Sequence, residues 1–253
     1  MVALAVAATA LAQQSIRKSV DPQGPFAKLT GQITQIGASN RAYGNGFLVG
    51  TEGCHVLTNF HVAFGKSADP KTGEPEIVDS VEIGHTVNFA FDLDATSGVF
   101  RRTMKARVVE FGNYEIGTSR GFLGDIAVLR LENCLGKDYG QLEIDRPPTD
   151  KRLPTEMLMT VRSSRTQAGK NEVLVEEGCR PVPATPIAGM MMSDCESVPG
   201  MSGSMILEEG PDKKLRLVGV TTGGGAVVNG RQISKGIYAS VLNKFLDPVL
   251  GAR

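Results

Sequence analysis

The chain has 253 residues with 27 basic and 27 acidic side chains, three His, four Cys, no Trp and a 41% hydrophobic fraction. That composition is ordinary for a globular protein and is enough for one large domain or two lobes with a proper core. A formal net charge of zero excludes an electrostatically driven nucleic-acid binder, and the longest apolar run falls short of the roughly 20 residues a membrane helix needs.

The N-terminus, MVALAVAATALA, is almost wholly apolar and ends in the small-residue step Ala10-Leu11-Ala12. A short apolar stretch closed by A-x-A is what signal peptidase reads, so residues 1–12 are expected to be an export signal cleaved after Ala12. No Lys or Arg precedes the run, so either the true start lies upstream or the signal is a weak one. A buried N-terminal helix is the alternative, though an Ala-rich run without a polar face suits it poorly. Cys54, Cys134, Cys179 and Cys195 are even in number and contain no C-x-x-C pair, which counts against a zinc ribbon or a thioredoxin-like site. Four cysteines allow three pairings, and residue counting does not choose among them. Free buried thiols are the alternative to bridges.

Thirty Gly and 13 Pro point to many turns and short strands. Gly31 to Ile36 alternates, and Gly46 to Gly50 followed by His55 to Thr58 reads as a hairpin turning at Thr51-Glu52-Gly53. Strands are expected at Ser80 to Ile83, Thr86 to Phe91, Lys105 to Phe111 and Asp125 to Leu131, with a loop from Lys66 to Glu76. The polar stretch from Asp145 to Pro154, with Pro147, Pro148 and Pro154, is the expected crossing between two halves, 13–145 and 146–253. Further strands are expected at Met157 to Arg162, Glu172 to Val175, Ser204 to Leu207, Leu215 to Thr221 and Gln232 to Ala239. Val241, Leu242, Phe245, Leu246, Val249 and Leu250 recur at helical spacing, so the chain closes on an amphipathic helix. The fold class is therefore all-β, two barrels of Greek-key type with a C-terminal helix.

Three segments carry candidate chemistry: Leu57-Thr58-Asn59-Phe60-His61-Val62, Gly124-Asp125 before an apolar strand, and Pro199-Gly200-Met201-Ser202-Gly203-Ser204. Each alone is weak, because a His before a loop, an Asp opening a strand and a Gly-flanked Ser all occur without function. Together they have a chemical logic. A serine hydroxyl is a poor nucleophile near neutral pH and needs a base, which His61 supplies. The imidazole must be held in one tautomer and its charge stabilised, the task of Asp125. Glycines around Ser202 allow the N–H groups of Gly200 and Ser202 to converge on an oxyanion, a contribution of roughly 3–4 kcal/mol per donor.

The order His, Asp, Ser is the one used by chymotrypsin-fold proteases. The chain resembles the bacterial, secreted, trypsin-like serine proteases of that superfamily, in the branch that includes the glutamyl endopeptidases. TNFHV, GDIAVLRL, CESVPGMSGSMIL and Gly236-Ile237-Tyr238-Ala239-Ser240-Val241 carry the resemblance, in the family's order, over about residues 30 to 250. It implies a catalytic set of His61, Asp125 and Ser202, an oxyanion hole from the backbone of Gly200 and Ser202, and bridges Cys54–Cys134 and Cys179–Cys195. It also implies a substrate pocket at Glu196, Ser197, Thr222, Gly223 and Gly236. Glu196, six positions before Ser202, would favour basic side chains if it forms the pocket floor, or would turn to solvent; Ser197 keeps acidic preference open. The Thr221-Thr222-Gly223-Gly224 strand would pair with substrate backbone, with its register open by one residue. Gly236 would leave the pocket wall open. Met201 stands where trypsin has an acid, so activation through a freed N-terminal amine is not expected.

His55 is expected to face solvent or a neighbouring strand, His85 sits in a turn, and Asp92-x-Asp94 lacks the ligands of a calcium loop. Met190, Met191 and Met192 read as core and loop filler. The expectation is thus an exported (secreted or periplasmic) monomeric endopeptidase acting on polypeptides, with no metal, no cofactor, no nucleic acid and no membrane span. The alternative is a catalytically silent chymotrypsin-fold binding protein. An α/β-hydrolase would carry its acid and His after the Ser, the reverse of the order here.

Overall fold

The computed structural model describes residues 16–36, 44–68, 75–78, 80–115, 118–140, 158–165, 168–182, 187–210, 212–213, 215–228 and 231–251. The apolar leader 1–12 and the Pro-rich crossing at 145–154 lie outside these residues.

The chain runs through β1 (Ile16–Ser19), β2 (Thr30–Gln35), β3 (Gly44–Val49), β4 (His55–Thr58), the one-turn helix α1 (Phe60–Ala63), β5 (Gly65–Ala68), β6 (Pro75–Ile77), β7 (Thr86–Asp94) and β8 (Val99–Phe111). Then come α2 (Ser119–Leu123), β9 (Ala127–Leu131) and α3 (Lys137–Gly140). The second half holds β10 (Leu158–Arg165), β11 (Asn171–Cys179), β12 (Met190–Ser193), β13 (Met205–Glu209), β14 (Leu215–Val228), β15 (Arg231–Tyr238) and α4 (Ala239–Leu250).

Strands β2-β3-β4-β9-β8-β7 close into a barrel. Period-two alternation drives closure: Val87, Phe89 and Phe91 of β7 have no exposed surface and point inward, while Thr86, Asn88 and Ala90 between them are half-buried. The expected β3–β4 hairpin forms, with Phe47 opposite Leu57 and Val49 opposite His55. Its interior holds Phe47, Phe64, Phe89 and Phe91 among the largest fully buried side chains, and a closed barrel leaves no strand edge unpaired.

The second sheet has seven strands in the order β1-β11-β10-β13-β14-β15-β12. Helix α4 packs Leu242 and Leu246 into the core, against β14 and β15 and also against β8 and β9 of the barrel. The architecture is the all-β double barrel with a closing helix. Both disulfides are those the resemblance implied: Cys54–Cys134 spans 80 residues and Cys179–Cys195 spans 16.

Four local features differ from the reading of the sequence. The Lys66–Glu76 stretch takes part in the paired strands β5 and β6, with Ser67 opposite Glu76 and Ala68 opposite Pro75, and is not wholly loop. Ser80 to Ile83 forms no strand; His85 N–H turns back to Glu82 O, Gly84 takes φ +95°, and Val81 and Ile83 stay exposed. Met190 to Ser193 is a strand, β12, antiparallel to β15, with Met190 and Met191 buried. β1, early in the chain, pairs with β11 of the second sheet. Among the described residues, no helix is long and apolar enough to cross a membrane.

Candidate active site

His61 stands on α1, at the end of β4. The helix is seated by an aromatic cluster: Phe60 lies 4.6 Å from Phe64, 5.7 Å from Phe111 and 5.5 Å from Tyr114 between ring centroids. Asn59 precedes the helix but does not cap it through its side chain; its Nδ2 donates instead to Asp125 O at 2.8 Å. Asp125 follows α2, whose first turn is capped by Thr118 Oγ1 accepting from Gly121 N–H at 2.9 Å. The turn ends tightly, with Asp125 N–H donating to Phe122 O at 3.1 Å. The approach to Asp125 admits no side chain at Gly124, where a Cβ would run into the Asn113 backbone.

The two residues meet. His61 Nδ1 lies 2.8 Å from Asp125 Oδ2 and 2.9 Å from Oδ1, and His61 N–H donates to Oδ1 at 3.0 Å. Asp125 is 1% exposed, so its charge needs these donors to be tolerated. A carboxylate facing Nδ1 holds the proton there, which leaves Nε2 as a lone-pair acceptor.

Ser202 lies in two consecutive turns. Met201 N–H donates to Val198 O at 3.2 Å across Pro199-Gly200, with Gly200 at φ +89°, and Ser204 N–H donates to Met201 O at 3.0 Å, with Gly203 at φ +81°. Pro at the second and Gly at the third position of the first turn is the type II pattern, which needs a positive φ at the Gly. Gly203 N–H donates to Thr221 O at 2.8 Å. From 200 to 204, the amides of Met201, Gly203 and Ser204 are therefore taken. Among the described residues, those of Gly200 and Ser202 have no acceptor.

The loop is pressed against the barrel. Asn45 N–H donates to Ser202 O at 2.7 Å, and a Cβ on Gly44 would meet Val62 on one side and Ser202 O on the other. Val62 adjoins His61, so Ser202 and the His–Asp pair flank the same short segment of β3. Ser202 Oγ donates to Thr222 O at 3.3 Å, and no hydrogen bond joins it to His61 among the described residues.

Of the expected pocket residues, Thr222 meets the serine directly, through its carbonyl. Glu196 Oε2 is ion-paired with Arg162 Nη2 at 3.2 Å, Arg162 being buried and Glu196 one-third exposed. Glu196 N–H is held by both carboxylate oxygens of the buried Glu176, at 3.0 and 3.1 Å. Ser197 is buried. Thr222 is skipped in the β14–β15 register, which steps from Thr221 opposite Gly236 to Gly223 opposite Lys235. The pairing of β13 with β14 stops at Val220, and a Cβ on Gly223 would meet nothing within 4 Å. On the side facing the serine loop, β14 beyond Thr221 is thus an open edge. Beside Gly236 the side-chain space is filled by Ile206, 2.7 Å from where a Cβ would stand.

No protein-family model and no curated protein sequence matches the chain. Solved structures do. A Glu endopeptidase in complex with MPD superposes with a TM-score of 0.58 at 18% identity, covering 95% of this chain and 99% of that one. Neuropsin, a serine protease expressed in the limbic system of mouse brain, gives 0.58 at 14%, covering 92% and 98%. The MamO protease domain from Magnetospirillum magneticum, apo form, gives 0.51 at 18%, covering 87% and 97%. The chain has the chymotrypsin-like serine protease fold. In that frame His61 and Asp125 belong to the first barrel, and Ser202 to the second sheet.

Two residues bonded to the candidate site escaped the reading of the sequence. Asn59 was visible only as a residue before a His, and Asn45 only as a residue between two glycines. Each acts through a partner far along the chain, Asp125 for the first and Ser163, Gly200 and Ser202 for the second. The one signal that could have raised them is a fully buried Asn, and burial is not written in a single sequence.

Proposed function

We propose that this chain is an exported serine endopeptidase that hydrolyses peptide bonds through an acyl-enzyme on Ser202. The observation that carries the reading is the pair of unclaimed amides, Gly200 and Ser202, at a serine near a His61–Asp125 pair whose carboxylate is buried. Ser202 Oγ attacks the carbonyl carbon while His61 Nε2 takes its proton; Asp125 steadies the imidazolium. The tetrahedral oxyanion accepts from the two amides, each contributing about 3 kcal/mol to the transition state. His61 then protonates the leaving amine, and a water activated by the same nitrogen releases the acyl group. The sequence needs no cofactor. Substrate backbone would add to the open edge of β14 at Thr222–Gly224. Export is supported by the two disulfides, which persist in oxidising compartments.

Glu196 is not an isolated charge, since Arg162 already pairs with it. The preference for Arg or Lys side chains is therefore expected to be shallow, and Glu196→Gln should change it by less than about tenfold.

One observation favours a second reading, a silent binding protein: Ser202 donates to Thr222 O and not to His61. Catalysis requires that this hydroxyl turn from Thr222 O toward His61 Nε2; side-chain rotations are of the ps–ns class. Incubation of the disulfide-bonded protein, trimmed of residues 1–12, with a denatured protein and a mixed peptide library tests the proposal. Cleavage that vanishes in Ser202→Ala is expected; no cleavage of any peptide would leave the binding reading.

A further inference from the structure

Asn45 is 1% exposed and uses every polar group it has. Its Nδ2 donates to Gly200 O at 2.6 Å, its Oδ1 accepts from Ser163 N–H at 2.7 Å, its N–H donates to Ser202 O at 2.7 Å and its carbonyl accepts from Thr58 Oγ1 at 2.6 Å. These four bonds join β3 and β4 of the barrel, β10 of the second sheet and both turns of the serine loop. Their effect on the loop follows from peptide planarity. The 200–201 unit is held at Gly200 O by Asn45 and at Met201 N–H by Val198. The 202–203 unit is held at Ser202 O by Asn45 and at Gly203 N–H by Thr221. With these two units fixed, the Ser202 N–H between them is set in direction from either side and the Gly200 N–H from its C-terminal side, and both are left unclaimed.

We propose that Asn45 is a positioning residue, whose side chain holds the serine loop in the shape that aims the Gly200 and Ser202 amides at one point. It touches no substrate and acts through the Gly200 carbonyl. The kinetic consequence rests on the protease reading; the geometric one does not. Asn45→Asp is the sharpest variant, because it keeps the size and an acceptor for Ser163 N–H but sets a carboxylate oxygen against Gly200 O. Asn45→Ser is the second variant, should the first fail to fold.

The experiment joins steady-state kinetics, affinity for a peptide boronic acid that forms a tetrahedral adduct on serine, and residue-resolved amide exchange. The expected result is a kcat lower by about 10- to 100-fold with KM within about threefold, and boronate affinity reduced by a similar factor. Exchange at Met201 and Gly203 should quicken at least about tenfold while Leu57 and Val128 in the barrel keep their rates. Unchanged kcat with unchanged exchange at Met201 and Gly203 overturns the proposal. So does faster exchange spread evenly over the barrel, which marks a merely structural residue. If the parent protein cleaves nothing, the protease reading falls, and the exchange comparison alone decides for or against Asn45.

Discussion

The two halves of the candidate site are held in different ways. On the barrel side, His61 and Asp125 are locked by side-chain chemistry: a carboxylate, an imidazole and the N–H of the same histidine within 2.8–3.0 Å, in a barrel with no open edge. On the side of the second sheet, the serine loop is locked almost wholly by backbone carbonyls and amides, with bonds that reach across to Asn45 and Thr221. The first half is specified by what its residues are, the second by where its peptide units point. A loop built this way is sensitive at the partners that orient its peptides and at Gly200 and Gly203, whose positive φ the turns require.

The largest effect that would break or sharpen this contrast is loss of the nucleophile. Ser202→Ala should lower kcat by roughly 10,000- to 1,000,000-fold with the melting temperature nearly unchanged, because the hydroxyl makes a single hydrogen bond to Thr222 O. Asp125→Asn comes next, with a fall of about 10,000-fold from a misdirected imidazole, and unlike Ser202→Ala it should also cost stability, since it disturbs the buried bonds to His61. Kinetics paired with chemical denaturation separate the two.

The disulfides divide along the same line. Removing Cys54–Cys134, which closes 80 residues in the barrel half, should cost about 4.5 kcal/mol of stability and little kcat. Removing Cys179–Cys195, which closes 16 residues and ends beside Glu196, should cost only about 3 kcal/mol, yet should fall harder on kcat/KM. Urea unfolding and kinetics on the two paired Cys→Ala variants measure both quantities. The reverse ranking of activity would break the comparison.

The smallest effect is in pH. Burial holds His85 below the ordinary imidazole value of 6.5, against Glu82, which raises it; burial and Arg130 hold His55 low as well. Folded pKa values below the unfolded one mean that unfolding takes up protons in acid. The associated stability is full above about pH 6.5 and is lost as pH falls below it. His55 and His85 both lie in the barrel half, so this acid loss belongs there. Melting temperatures between about pH 8 and about pH 5 should slope downward in acid, and His55→Gln with His85→Gln should flatten that slope.

What could be read in advance follows the same division. The hairpin at β3–β4, the alternation of β7 and the α4 stripe were legible because local period sets them. Lys66 to Glu76 hid parts of two strands because Pro70, Gly73 and Pro75 read as turn signals, while pairing of Gly65 with Ile77 is a non-local event. Ser80 to Ile83 alternates like a strand, but among the described residues no strand pairs with it. Met190 to Met192 gave no turn or period signal, and its strand character comes from its neighbour β15. At the site, His61, Asp125 and Ser202 stood out by residue type. Asn45 and Asn59 did not, since the partners that tie them to the site lie 66 to 157 positions away.

The central claim is that Ser202 is an activated nucleophile. Its most direct test is mass-spectrometric labelling of the folded, disulfide-bonded protein with an organophosphorus serine reagent. A single adduct on Ser202, absent from His61→Ala, is the result this account predicts. No adduct on Ser202, before and after limited proteolysis to release any latent form, would contradict it.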